Sequence, residues 1–280
     1  MINENFFVNN YDKILHMIKV LETAATEAGT ILLKYYKKNL ALNYKTSHKD
    51  FYTIADVESQ KCIKEAITKL LVKKGIKESE IGFIGEEKLH IDSKRKYLFI
   101  IDPLDGTVNF ANGFDFFSIS IAYFYQGILT AGLVYQPTNN KFYSAIKGKG
   151  AFVNKRQMQM TYKPLKQCLF NGLISSRPEV YSKLFKIYEN LYPNVAGYRN
   201  LNSMAIDNCL LAENAFQIVS NGHTFIWDIS AVKLIVEESG GIIMDFKGLP
   251  INFDLKSPML AYNTISCHPR LKDEIIGYFK

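Results

Sequence analysis

Residues Ile100-Ile101-Asp102-Pro103-Leu104-Asp105-Gly106-Thr107 set two carboxylates three positions apart, where a hydrophobic strand from Tyr97 to Ile101 runs out. Proline lacks the N–H that a buried strand needs and glycine permits a sharp turn, so both acids are expected at the strand's end. The chain beyond the turn is placed to open a helix, whose first N–H groups point outward and attract anions. Two acids can hold divalent cations and adjacent N–H donors can hold a phosphate. Metal-assisted phosphoryl hydrolysis requires that combination. Asp-Pro and Asp-Gly pairs are also ordinary turn chemistry, so the octamer takes its meaning from the other acids of the chain.

Those acids share one form, each lying at the boundary of a regular element. Gly85-Glu86-Glu87 ends a short strand, Asp56 follows Tyr52-Thr53-Ile54-Ala55, and Asp228 opens a helix in Ile226-Trp227-Asp228-Ile229-Ser230-Ala231. Any one of them alone is an ordinary helix cap or a solvated loop residue. Together in one chain they point to a site.

Composition excludes several other classes. With 280 residues, 48% hydrophobic and 22% charged, the chain suits one large globular domain or two modest ones. No apolar run approaches the roughly 20 residues that span a bilayer. The N-terminus Met1-Ile2-Asn3-Glu4-Asn5 has no basic region leading into an apolar core, so a cytoplasmic protein is expected. Cys62, Cys168, Cys209 and Cys267 lie far apart in apolar or mixed sequence, which predicts buried free thiols. The histidines are equally scattered, and oxygen ligands rather than a zinc site are what the chain offers. The net charge of +7 suits an anionic substrate approaching an acidic metal site. Its lysines form no block of like charge, so nucleic-acid binding draws little support from composition.

Apolar positions between Tyr11 and Lys38 recur at three- and four-residue steps, predicting a long amphipathic helix. A polar segment over Asn43–Ala55, a second helix over Val57–Lys73 and a strand over Ile81–Gly85 follow. Runs at Phe117–Tyr125, Ile128–Gln136 and Lys141–Ile146 read as an antiparallel meander, with a short strand at Ala151–Asn154. Beyond it, strands near Leu169–Ser175, Ala215–Ser220, Ile242–Asp245 and Met259–Asn263 alternate with helices. Those helices are expected near Glu179–Asn190, Ser203–Ala212, Asp228–Ser239 and Arg270–Phe279. The N-terminal half, 1–155, is expected to carry most of the metal site. The C-terminal α/β half, 156–280, completes it, giving one compact catalytic unit.

The order and spacing of Gly85-Glu86-Glu87, Asp102-Pro-Leu-Asp-Gly-Thr107 running into Val108-Asn109-Phe110, and Trp227-Asp228-Ile229-Ser230-Ala231 resemble the inositol monophosphatase family. That family belongs to the wider superfamily of magnesium-dependent, lithium-sensitive sugar phosphatases, and the likeness covers roughly residues 40–245. The resemblance implies a layered αβαβα sandwich of the kind shared with fructose bisphosphatases, usually as a homodimer. It implies that Glu86, Asp102 and the Leu104 carbonyl bind a first Mg²⁺, and that Asp102, Asp105 and Asp228 bind a second. A third, weaker ion would be shared by Glu86 and Asp102.

Thr107 and Asp56 resemble the pair that orients and deprotonates the attacking water. Glu87 and Lys45 match supporting positions, and Asp50 falls in the loop that brings Lys45 to the site. The N–H groups of Gly106 and Thr107 match the phosphate cradle, and Asp228 matches the residue that orients or protonates the departing alkoxide. The implied reaction is in-line hydrolysis of a phosphate monoester without a phosphoenzyme, with inositol 1-phosphate as the first expected substrate.

The alcohol-binding segment departs from the family pattern. Asn202-Ser203-Met204 stands where animal members carry Gly-Thr-Ala, and Asn221 where they carry a Glu that bonds inositol hydroxyls. Asn221 can still bond a hydroxyl, although it is shorter and uncharged. Met204 would narrow the pocket. Arg199 is read as a fold or interface residue.

Related activities are fructose-1,6-bisphosphatase and phosphoadenosine-phosphate 3′-phosphatase. Members with the latter activity continue the turn with Lys-Glu-Phe in place of Val108-Asn109-Phe110. A reading of another class is binding to RNA or the transcription machinery, as some bacterial relatives do independently of catalysis. Such a role would not need the metal acids, and all of them are present.

Overall fold

The computed structural model describes residues 11–47, 50–173 and 177–279. The N-terminal pentapeptide and the end of the strand expected over Leu169–Ser175 lie outside them. The first half begins with helix α1 (Tyr11–Tyr35), a hairpin of β1 (Asn43–Ser47) and β2 (Asp50–Tyr52), and helix α2 (Ile54–Val72). Strands β3 (Ile81–Gly85), β4 (Leu89–Ile91) and β5 (Tyr97–Asp105) lead to the short helix α3 (Thr107–Ala111). The meander then runs through β6 (Ser118–Tyr125), β7 (Ile128–Gln136), β8 (Lys141–Ile146), β9 (Gly150–Val153) and β10 (Arg156–Met158).

Eight of these strands form one sheet in the order β10-β9-β8-β7-β6-β5-β3-β4, with only β3 and β5 parallel. Its central strands are apolar at nearly every position because both faces are covered. In β5, Phe99 and Ile101 face α1 and α2, where Leu21, Ala25, Ala28, Ile63 and Ile67 receive them. Leu98 and Ile100 face the opposite way.

The second half contributes β11 (Leu169–Leu173), α4 (Pro178–Leu191), β12 (Gly197–Arg199), α5 (Met204–Ala212) and β13 (Ile218–Thr224). It ends with α6 (Ile226–Glu238), β14 (Ile242–Met244), β15 (Tyr262–Cys267) and α7 (Lys272–Phe279). A five-stranded sheet runs β12-β11-β13-β15-β14. Helices α5 and α6 lie between the sheets. Ala205, Ile229 and Val232 pack on Ile100, Ala122 and Val134 of the large sheet. Leu211 and Val236 pack with Val219 of the small one. Its outer face is covered by α4 and α7 through Leu184, Tyr188 and Ile275. The layers are therefore helix, sheet, helix, sheet, helix, as expected from the resemblance.

Several boundaries differ from the sequence reading for identifiable reasons. Helix α2 starts at Ile54 rather than Val57, because Thr53 caps it through Ala55 N at 3.1 Å and Asp56 Oδ2 accepts from Thr53 N at 2.8 Å. Asp56 thus sits inside the first turn, and Asp228 likewise lies inside α6 rather than opening it. Strand β13 begins at Ile218 rather than Ala215, since Ala215 N still bonds Leu210 O to close α5. The last strand covers Tyr262–Cys267 instead of Met259–Asn263, after a turn that bonds Leu260 N to Ser257 O.

Pro103 also behaves differently from expectation, because β5 continues past it to Asp105. Asp102 pairs with Ser120 and Asp105 with Ser118, so two residues of β5 oppose one of β6. This is a bulge, where a missing N–H does no harm. Three of the four cysteines are buried and all four are free thiols. Among the described residues no helix is long and apolar enough to cross a membrane.

Candidate active site

The bulge in β5 creates the central feature of the site. In a regular strand, side chains three positions apart point to opposite faces. The extra residue at Pro103-Leu104 resets that alternation, so Asp102 and Asp105 sit opposite Ser120 and Ser118 on one face. That face looks toward the central helix layer. Beside it, β3 runs parallel to β5, and Glu86 N bonds Ile101 O at 3.3 Å just beyond the last paired residues. The start of α6 brings Asp228, whose Oδ2 accepts from Phe225 N at 2.6 Å.

Each acid is held from its own side. Asp105 accepts from Ser118 Oγ at 3.3 Å, Met204 N at 2.9 Å, Ala205 N at 3.1 Å and, more closely, Ser203 Oγ. Asp102 Oδ1 accepts from Leu104 N at 3.0 Å. Lys45 on β1 reaches Glu86 at 2.9 Å and Glu87 at 2.7 Å. Partial burial pulls the Lys45 ammonium down, but Glu86 and Glu87 outweigh it and hold its pKa above the ordinary lysine value. Gln60 fixes the Glu87 backbone at both ends, donating to its carbonyl at 2.9 Å and accepting from its N–H at 3.1 Å.

The cluster is electrostatically unbalanced. Burial raises Asp102 well above the ordinary carboxylate value, and the charges of Glu86, Asp105 and Asp228 raise it further. Asp228 is raised by burial and then by Glu86. Burial pushes Asp105 up to about 6 against the hydroxyl and amides that bind it. Glu86 and Asp105 disfavour the charges of Asp102 and Asp228, and with Lys45 held on Glu86 and Glu87 these oxygens form a donor set that a divalent cation would satisfy. Among the described residues no three His, Cys, Asp or Glu close into a ready-made cage. The donors are all hard oxygens, and the Leu104 carbonyl lies on the same bulge. They fit Mg²⁺ in kind.

Asp56 and Thr107 come together as expected from the resemblance. Asp56 is buried, with Oδ2 accepting from Thr53 N at 2.8 Å and Thr53 Oγ1 at 2.7 Å. Thr107 Oγ1 lies 3.3 Å from Asp56 Oδ1 and 3.0 Å from Leu104 O, two acceptors for one hydroxyl hydrogen. Burial pushes Asp56 up to about 7, opposed by Thr53 and assisted by the charge of Glu86. Gly106 caps α3 at φ 83°, a conformation costly to other residues, and a Cβ there would stand 2.7 Å from Phe116 O.

Met204 and Asn221 are both buried. Met204 meets Asp105 through its backbone N–H, while its side chain is buried with Trp227 and Ile226 in the core between the helices and the large sheet. Asn221 is fully buried on β13, 3.5 Å from Thr264 Oγ1 through Nδ2. Arg199 is exposed on β12 and bonds Tyr198 O, away from the acids. Asp50 begins β2 in the hairpin that carries Lys45.

The supporting contacts of three residues escaped the sequence reading. Ser203 clamps Asp105, Ser59 donates to Pro103 O at 2.8 Å, and Asn109 Nδ2 binds Phe116 O and Leu201 O, each at 2.7 Å. Only Ser203 left a signal, as a serine directly before a helical run.

The layered fold is that of known phosphatases. A suhB protein from Bartonella henselae superposes with a TM-score of 0.84 at 28% identity, covering 95% of this chain and 98% of that one. The Thermotoga maritima IMPase superposes at 0.81 with 27% identity and 96% coverage of both chains. Residues 14–280 match the profile of the inositol monophosphatase family, and the chain belongs to that family. It is 32% identical over 262 residues to human inositol monophosphatase 1, covering 90% of this chain and 91% of that protein. It is 30% identical over 265 residues to a Nus factor SuhB of Pasteurella multocida, at 93% and 94% coverage.

Proposed function

We propose that this protein is a Mg²⁺-dependent phosphate monoester hydrolase acting on inositol 1-phosphate. One observation carries the reading: Asp102 and Asp228 are raised by burial and by the charges of Glu86 and Asp105, beside a linked Thr107–Asp56 pair. Glu86, Asp102 and the Leu104 carbonyl would hold one cation, Asp102, Asp105 and Asp228 a second, and Glu86 with Asp102 a weaker third. Such cations supply charge neutralisation for the phosphate and acidify bound water.

The chain's own groups do the rest. The amides of Gly106 and Thr107 receive phosphate oxygens. Thr107 Oγ1 accepts a hydrogen bond from the attacking water while donating to Asp56, a base poised near neutrality. Lys45 and Glu87 fix Glu86 in place. Asp228 orients the departing alkoxide and Asn221 bounds its pocket, while the Met204 side chain belongs to the core and meets the site through its backbone N–H. The site draws on both halves, 1–155 and 156–280, which act as one catalytic unit. A cytoplasmic homodimer that is sensitive to lithium accords with the family.

The test is phosphate release with added Mg²⁺ from inositol 1-phosphate, glycerol 2-phosphate, fructose 1,6-bisphosphate and phosphoadenosine phosphate. Preference for the first supports the substrate. Preference for another keeps the hydrolysis and moves the substrate, and no release from any of them sinks the enzyme reading. Asn221→Glu should raise relative use of inositol 1-phosphate; unchanged relative rates would remove Asn221 from the pocket.

A second reading, binding to the transcription machinery, is favoured by the relative named Nus factor SuhB. Asp102→Asn separates the two, because it abolishes hydrolysis and spares such binding.

A further inference from the structure

Among the polar groups of the interior, an acid and an amide stand one helical turn behind the Asp105 clamp. Asp207 on α5 and Asn171 on β11 are both fully buried. Asn171 Nδ2 donates to Asp207 Oδ1 at 3.0 Å. The remaining oxygens, Asn171 Oδ1 and Asp207 Oδ2, have no hydrogen-bond partner among the described residues. A carboxylate and an amide oxygen both accept only, so an ionised Asp207 leaves two buried acceptors bare. A single proton on Oδ2 supplies the missing donor. Directed at Asn171 Oδ1, such a proton would close a ring in which acid and amide exchange two hydrogen bonds.

We propose that Asp207 is held as a neutral carboxylic acid paired with Asn171, and that this pair sets the first turn of α5 so that its donors meet Asp105. The connection is short. Asp207 N bonds Ser203 O at 2.9 Å, and Ser203 Oγ, Met204 N and Ala205 N all bind Asp105. Asn171 lies on the central part of the small sheet, paired with Arg199 on one side and Val219 on the other. The pair therefore ties the first turn of α5, which carries the clamp, to a strand of the small sheet.

The surroundings favour the neutral form. Burial raises Asp207 well above the ordinary carboxylate value, and the charge of Asp105 adds to this, while Asn171 and the Ser203 amide pull the other way. Tyr198 and Cys209 are the other titratable groups that feel its charge, and burial raises both of them. Asp207 is a positioning residue, acting through α5 on Asp105. The inference rests on Asp105 being a cation ligand.

The test compares Asp207→Asn, Asp207→Ala and Asp105→Asn with the unaltered protein. An infrared difference spectrum against Asp207→Asn at pH 8 should show a protonated carboxyl band that the variant lacks. Loss of an ionised carboxylate band instead overturns the pair. Asp207→Asn keeps a two-bond ring and should leave the Mg²⁺ concentration for half-maximal phosphate release within about twofold. Asp207→Ala should raise it about tenfold, or about 1.4 kcal/mol. An unchanged requirement in Asp207→Ala overturns the positioning role. Where that variant does not fold, Asp207→Ser is judged by the same outcomes. If Asp105→Asn alters neither rate nor Mg²⁺ requirement, the cation-site reading fails, and the infrared band still decides the acid–amide pair.

Discussion

Asp102 shows how a functional residue can work against the fold that holds it. It is buried, it feels the charges of three other carboxylates, and among the described residues its only hydrogen-bond donor is the Leu104 amide. Asp102→Asn is expected to lower phosphate release about a hundredfold or more, since it removes charge from the proposed cation site. In metal-free protein the same change should raise the melting temperature, because it relieves burial and repulsion. A calorimetric melt without metal checks the second half, and a lower melting temperature there would contradict the electrostatic account.

The pH dependence follows from the same imbalance. Asp105 at about 6 and Asp56 at about 7 lie above the ordinary 3.8, so the folded protein binds their protons more tightly than the unfolded chain. Their contribution to stability is complete below the unfolded value and is lost as pH rises through about 6 and then about 7. Cations compete for the same oxygens once the protons leave. The increase in melting temperature on adding Mg²⁺ should therefore be larger at pH 8 than at pH 5; equal increases would count against it.

At the scale of elements, the site is made by a bulge and by helix starts. A regular β5 would send Asp102 and Asp105 to opposite faces, and the bulge at Pro103-Leu104 brings them together. The first turns of α2, α3, α5 and α6 then supply Asp56, Thr107, the Asp105 clamp and Asp228. Gly106 permits the turn between β5 and α3. Gly106→Ala should cost about 1–2 kcal/mol from its left-handed backbone, and more from the 2.7 Å approach to Phe116 O. Denaturant melts and turnover should fall together; a loss of neither would mean that the turn relaxes freely.

Across the whole molecule, the two sheets are joined through α5 and α6, and close packing sets their separation. A Cβ on Gly132 of β7 would lie 2.7 Å from Ala231 O of α6. Gly132→Val should destabilise the protein by about 1–3 kcal/mol through overpacking. Turnover per folded molecule should change little, as Gly132 is not among the site residues. Unaltered melting would show that the central layer yields.

The sequence by itself determined the acids, because metal and phosphate chemistry needs particular atoms. Glu86, Asp102, Asp105 and Asp228 could be read from motif order, and the meander from its turns. Near-continuous apolar runs marked the strands buried on both faces. Element boundaries were less legible where a side chain made them: Thr53 moved the start of α2, and the closing bonds of α5 moved β13. Only the tertiary structure decided which groups support the acids. Ser203 meets Asp105 across 98 positions of chain, and Asn109 meets Leu201 across 92. No periodicity encodes such contacts, since they depend on how the central helices settle between two sheets. The same packing placed Asp207 against Asn171, where burial rather than residue type sets the proton.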